Sequence, residues 1–276
     1  MIPGRMRVSV IQSRIERDRE RNLERIRDIA STASNPDFLA IYENWLGRSP
    51  ISLSDYLKAS QEVLDSSGSR IYIAGSAYLS QDRAVVSKSI IIEKTGRVEI
   101  GGKSFPSAAT GERMRIRPSG PPAIMRTSYG YSVASIICVD AIYPEVVRIA
   151  STSGSEIIAN PSIIPANRSY LWRSLGILRA SENTVFFIHI NPTNTKYFDG
   201  RDVMGGSYIA DPQGRIILEA GSDEGVYEAI VDLGEVYSIR ARWRYLEDIA
   251  KAFGDIYRGI RNAMEKRGRE KETRGM

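Results

Sequence analysis

The chain holds one cysteine and one histidine in 276 residues. A single thiol excludes any disulfide within the chain, and with no leading basic-then-apolar segment it points to a reducing, cytoplasmic setting. One histidine excludes a zinc site built from several imidazoles, and no acidic cluster shows metal-ligand spacing, so no metal is expected. No apolar run approaches the roughly 18 residues of a spanning helix, which argues against a membrane role. A basic stripe with interleaved aromatics, the mark of a nucleic-acid surface, is also missing. The formal net charge is +5, but residues 261–276 contain six basic and three acidic side chains, which leaves the rest near neutral. That tail reads as a solvated or frayed helix end, with an anionic partner as the alternative.

What is present supports a large core. At 42% hydrophobic, the sequence predicts one domain over residues 1–260 followed by the charged tail 261–276. Short β-type runs alternate with helical patterns, which predicts an α/β layered fold. RMRVSVIQ reads as a strand feeding a helix in which Ile15, Leu23, Ile26 and Ile29 recur at helical spacing. Asn35-Pro36-Asp37 breaks that helix before the buried strand DFLAIYEN. A second helix spans about Leu53 to Leu64, and RIYIAGSAYL and AVVSKSIIIEKTGRV read as neighbouring antiparallel strands. The Gly-, Pro-, Ser- and Arg-rich stretch 101–122 reads as one long irregular loop. VASIICVDA is the next strand, and Pro144 opens a helix. EIIANPS and TVFFIHINPT are strands flanking the helix RSYLWRSLGILRASEN. A polar loop at 193–206 precedes the hairpin SYIADPQGRIILEA, whose Asp211 to Gly214 is a turn sequence. The strand VYEAIVDL and one or two helices complete the chain.

Cys138 ends an apolar run just ahead of a helix, the place where open α/β sheets gather their sites. A free thiol with a pKa of about 8.5 is only a few per cent thiolate at neutral pH, so a nucleophilic role needs a base or a cation. His189 is one candidate base, although its place inside TVFFIHI reads as a core residue. Glu43 ends FLAIYE as Cys138 ends ASIIC, and two parallel strands of one sheet would bring both to the same edge. Lys103 opens the irregular loop. Together they would supply base, oxyanion cation and nucleophile. Singly, each reads as a strand-end acid, a surface lysine and a buried thiol.

The order of segments resembles the nitrilase superfamily, the carbon-nitrogen hydrolases, from about Arg5 to Asp248. The resemblance is carried by VSVIQ, Asn22-Leu23, DFLAIYEN, SIICVDAIYPEVVRIASTSGSEIIANPS, RASENTVFFIHINPT and GGSYIADPQGRIILEAG. It implies a four-layer α-β-β-α sandwich and a homodimer or larger homo-oligomer paired through helical faces. It also implies a Glu43, Lys103 and Cys138 triad that cleaves small amides without metal or organic cofactor, with the backbone N–H of Val139 completing an oxyanion site. Glu112 takes the place of a second, supporting glutamate or else belongs to an ordinary turn. Tyr42 stands where the family usually has proline, Val139 where an aromatic is common, and Lys94 is a rival for the lysine role. Asp140 reads as fixing a turn. Tyr42, Asn160 and Ser162 are expected to line the substrate pocket, whereas Arg168, Tyr170 and Trp172 read either as further lining or, in preference, as the start of the next helix. Two other functions fit the same resemblance: a nitrile hydrolase using the same triad, and a non-catalytic binding or scaffold protein.

Overall fold

The computed structural model describes the backbone of residues 4–274 and side chains as far as Arg267. The alternation read from the sequence folds into two stacked sheets with a helix pair on each outer face. The first sheet is built from β1 (Arg5–Gln12), β2 (Phe38–Ile41), β3 (Ile71–Ile73), β4 (Ala77–Gln81), β5 (Ala84–Glu93) and β6 (Val98–Gly102), together with a strand from the end of the chain. Strands β1, β2 and β3 run parallel, and β5 closes antiparallel on β3 with β4 and β6 as its partners. Helices α1 (Arg19–Ser31) and α2 (Leu53–Ser67) cover its outer face. Asp18 caps the first by accepting the N–H groups of Glu20 and Arg21, and Ser52 caps the second at Asp55.

The second sheet repeats the pattern. Its strands are β7 (Ala123–Arg126), β8 (Ser132–Ser135), β9 (Ile157–Pro161), β10 (Phe186–Ile190), β13 (Tyr208–Ala210) and β14 (Ile216–Glu219), with β8, β9 and β10 parallel. A separate two-stranded hairpin, β11 (Thr195–Lys196) and β12 (Asp202–Val203), interrupts the segment read as a polar loop. Helices α3 (Pro144–Thr152) and α4 (Ser169–Asn183) lie on the outer face, and β15 (Gly225–Asp232) returns to pair with β1 in the first sheet. The period-2 alternation of a strand decides which layer each side chain enters. In β10, Phe186, Ile188 and Ile190 join the core between the sheets, while Phe187 packs under the helices. The result is the expected α-β-β-α sandwich.

Three local readings change. RIYIAGSAYL breaks at Gly75, whose φ of 66° turns the chain and whose missing side chain leaves room for the Tyr42 carbonyl: a Cβ there would stand 2.1 Å from that oxygen. The segment 101–122 is not all loop, since Gly101 and Gly102 finish β6, and β7 follows directly. The charged tail continues α6 (Tyr245–Arg274), which follows α5 (Gly234–Trp243) and runs unbroken past residue 260. Residues 275 and 276 of that tail lie outside the described residues.

Candidate active site

The centres of both sheets deliver their C-terminal ends to one cavity of about 290 Å³, and Glu43, Lys103, Glu112, Cys138 and Val139 all line it. Glu43 stands two residues beyond β2, held in line by a bridge to Ser76. Lys103 follows β6 directly. The two glycines before it are required by crowding: a Cβ on Gly101 would meet the Ala123 nitrogen at 1.8 Å, and one on Gly102 the Ser119 carbonyl oxygen at 2.2 Å. Only bare backbone lets β6 pass this close to the segment leading into β7.

Cys138 does not end a strand. Strand β8 stops at Ser135, and Cys138 opens a short helical turn with a φ of 47°, a left-handed conformation costly for a residue with a side chain. Asn160 holds this elbow, donating from Nδ2 to the carbonyls of Ile136 at 2.8 Å and Cys138 at 3.1 Å. Ser162 Oγ donates to Asn160 Oδ1 at 3.0 Å, and His189 Nδ1 lies 3.3 Å from the same oxygen. Asn160 and Ser162 are therefore braces behind the Cys138 elbow, which corrects their expected place on the pocket wall. Tyr42 is corrected too: neighbouring side chains alternate, so with Glu43 facing the cavity Tyr42 turns into the core, where its hydroxyl donates to the Arg14 carbonyl at 3.2 Å.

Lys103 Nζ is 2.9 Å from Glu43 Oε1 and 2.8 Å from Glu112 Oε2, and all three residues are at most 2% exposed. Glu112 is fixed in turn by the Tyr78 hydroxyl at 2.8 Å and the Ser107 N–H at 2.7 Å. Cys138 lines the same cavity as Glu43 and Lys103, and the charges of both bear on its thiol. Asp140 reaches the other way, accepting the N–H groups of Ser104 at 2.7 Å and Phe105 at 2.9 Å, so the cysteine turn and the lysine loop are tied together. Lys94, the rival lysine, lies exposed in the turn between β5 and β6.

Burial sets the protonation of this group. It lifts the Glu43 carboxyl above the usual range, the nearby Glu112 charge adds to that, and Lys103 opposes it. Burial and the Glu43 charge likewise push the Cys138 thiol well up. Burial alone would drag the Lys103 ammonium down, but Glu43, Cys138 and Glu112 outweigh it, and the amine stays a cation. Burial also opposes the Glu112 charge, yet Lys103 and the Ser107 and Tyr78 donors hold that carboxyl low. A proton passing from Cys138 to Glu43 leaves the net charge of the buried group unchanged, so the transfer needs no counter-ion from solvent. His189 is out of reach of this chemistry: burial lowers its pKa to about 3, and it is a neutral core residue that steadies Asn160.

The carbon-nitrogen hydrolase family model matches residues 66–241, well over half of the chain. The chain belongs to the carbon-nitrogen hydrolase family. It is 24% identical over 266 residues to the 2-oxoglutaramate amidase of Paenarthrobacter nicotinovorans, covering 89% of this chain and 90% of that one. A second 2-oxoglutaramate amidase, from Bacillus subtilis strain 168, is 34% identical over 128 residues, so the chain spans 46% of itself and 48% of that relative's length. Among solved structures, Nit3 of Saccharomyces cerevisiae, a nitrilase-superfamily member, shares the fold with a TM-score of 0.77 at 19% identity, over 88% of this chain and 95% of that one.

The rest of the hydrolase pocket comes from segments the sequence did not single out. Ile163, Ile164 and Pro165 form one apolar wall, and Tyr197, Phe198 and Arg201 of the β11–β12 hairpin form another. Arg168 and Trp172 line it as well, whereas Tyr170 is 69% exposed outside it. The one available signal was the adjacent aromatic pair Tyr197-Phe198 in an otherwise polar segment.

Proposed function

We propose that this carbon-nitrogen hydrolase is a cysteine-dependent amidohydrolase that cleaves small linear amides through an acyl-enzyme on Cys138. The observation that carries this reading is the buried Lys103 held between Glu43 and Glu112 at the floor of the cavity that contains the thiol. Glu43 takes the Cys138 proton, and the thiolate attacks the amide carbonyl carbon. The oxyanion that forms is stabilised by the Lys103 ammonium and the Val139 N–H. Collapse breaks the C–N bond as Glu43 returns the proton to the departing amine, leaving a thioester. Glu43 then takes a proton from water, the hydroxide attacks the thioester, and the acid leaves as Cys138 recovers its proton.

Glu112 is the support in this scheme: it fixes Lys103 without touching the reacting atoms. The names of the relatives favour amides over nitriles, and kcat/KM on paired amide and nitrile substrates separates the two. The exposed apolar residues Ile149, Leu178, Ile256 and Ile260 on α3, α4 and α6 favour pairing with a second copy, which sedimentation would detect. A lone nucleophilic thiol suits a reducing cytoplasm. The decisive experiment replaces Cys138 by Ala and measures hydrolysis of a panel of small amides. Turnover should disappear while the fold persists by circular dichroism; turnover that survives ends the proposal.

A further inference from the structure

The geometry points to a second ligand site: a cavity of about 650 Å³ that takes a small phosphate-type oxyanion on Arg17 and Arg48. It forms where the segment after β1, the loop beyond Glu43 and the start of the β11–β12 hairpin meet, and none of the residues lining it lines the hydrolase pocket.

The charges around this cavity do not cancel. Arg14 and Arg25 meet Glu16 and Glu224, and Lys196 meets Asp202, which sets three cations against three acids. Arg17 and Arg48 are left over, and among the described residues neither has a carboxylate within ion-pair distance. The two come from different segments and face one space.

Arg48 is the fixed member of the pair. Its guanidinium carbon stands 4.2 Å from the centroid of the Phe198 ring, and Nη2 donates to the Lys196 carbonyl at 2.6 Å. Only that one of its five N–H donors is used among the described residues. The group is half-buried, and burial disfavours its charge. A half-buried cation without a carboxylate partner gains from an anion that enters beside it. The turn that carries it is anchored by Arg19, whose Nη2 donates to the carbonyls of Ser49 and Pro50 at 3.3 and 3.2 Å. The side chains of Ser49 and Asn194 complete the polar lining as neutral donors.

A ligand that satisfies two guanidinium forks from separate loops needs about two negative charges and three or more acceptor oxygens. A phosphoryl group supplies them, with a charge of about −1.5 to −2 and three free oxygens; a carboxylate brings one charge and two oxygens. The phosphoryl group is either the free ion or the head of a small phosphomonoester, and a cavity in the roughly 300–1,000 Å³ range of small-molecule sites has room for both.

Isothermal titration of the wild-type protein with inorganic phosphate, glycerol 3-phosphate and acetate tests the site. One phosphate or glycerol 3-phosphate should bind per chain, at least tenfold more tightly than acetate and more weakly as ionic strength rises. Tighter binding of glycerol 3-phosphate assigns a phosphomonoester, and tighter binding of phosphate assigns the free ion. Arg17→Gln and Arg48→Gln should each weaken binding at least tenfold. Arg17 is exposed and makes no hydrogen bond among the described residues, so its replacement leaves the fold intact. Arg242→Gln is the control, on α5 at the far end of β1, where the Leu233 N–H donates to the Gly4 carbonyl; it should change nothing. Absence of saturable binding, acetate bound as well as phosphate, an equal loss in Arg242→Gln, or binding that survives both Arg17→Gln and Arg48→Gln overturns the proposal.

Discussion

Lys103 Nζ sits 2.9 Å from Glu43 Oε1 and shares its charge with Glu112 on the other side. One cation therefore neutralises two buried acids, and removing it leaves like charges facing each other out of reach of water. Losing one partner of a buried pair costs about 3–5 kcal/mol. Lys103→Met should abolish turnover and lower unfolding free energy by about that amount in urea titrations. Adding Glu112→Gln to Lys103→Met should recover part of the stability but none of the activity, because it removes the repulsion without restoring the oxyanion cation.

The pH profile carries the signature of Glu43. The base must be ionised to accept the thiol proton, so activity falls as pH drops through its pKa, which burial and then the Glu112 charge place above the usual carboxylate range. Glu112→Gln removes that like charge. The acid limb of kcat/KM should move to lower pH, while kcat itself falls because Lys103 is less well held. A limb that stays in place would show that the two acids do not interact.

Gly101 is a steric requirement. The Cβ introduced by Gly101→Ala would lie 1.8 Å from the Ala123 nitrogen, so β6 or β7 must move. Overpacking of this kind costs about 1–3 kcal/mol, and the shift displaces Lys103 two residues on. Thermal unfolding should drop and kcat should fall more than KM rises, since the amine is misplaced while the apolar walls remain.

Stability below neutral pH should report the lone histidine. His189 titrates near 6.5 when unfolded but near 3 in its buried site. Between those values the unfolded chain binds the extra proton, so stability is fully present above about 6.5 and is lost as pH falls. Asp140, pushed up to about 6 chiefly by burial, runs the opposite way below that pH. Comparison with His189→Gln isolates the histidine. From pH 7 to pH 5 the wild type should lose about 2 kcal/mol relative to the variant; parallel stability curves would contradict the neutral, buried assignment.

Much of this arrangement was legible in the sequence because it depends on chain order. The expectation that Glu43 and Cys138 end parallel strands of one sheet is not met: β2 lies in the first sheet and β8 in the second, and both residues reach the same cavity from the two sheets. The family resemblance added Lys103 and Glu112. The Asp140 reading as an anchor also holds, although the backbone it clamps belongs to Ser104 and Phe105. What escaped depends on three-dimensional facing. Asn160 lies within β9 and Ser162 just beyond it, near the pocket, yet side-chain alternation turns Asn160 towards the elbow carbonyls. The left-handed turn at Cys138 leaves no trace in composition, since it is imposed by braces 22 and 24 residues away in sequence. The walls at Tyr197, Phe198 and Arg201 come from a hairpin whose two-residue strands are too short to show a period.

The central claim, that Cys138 carries the acyl group, is tested most directly by acid-quenched intact-mass spectrometry of the wild-type protein during turnover of a small amide. The account predicts a mass gain equal to the acyl group, located by digestion on the peptide containing Cys138 and absent from Cys138→Ala. Steady hydrolysis by a Cys138→Ala protein, or an acyl group mapped to any other residue, would contradict it.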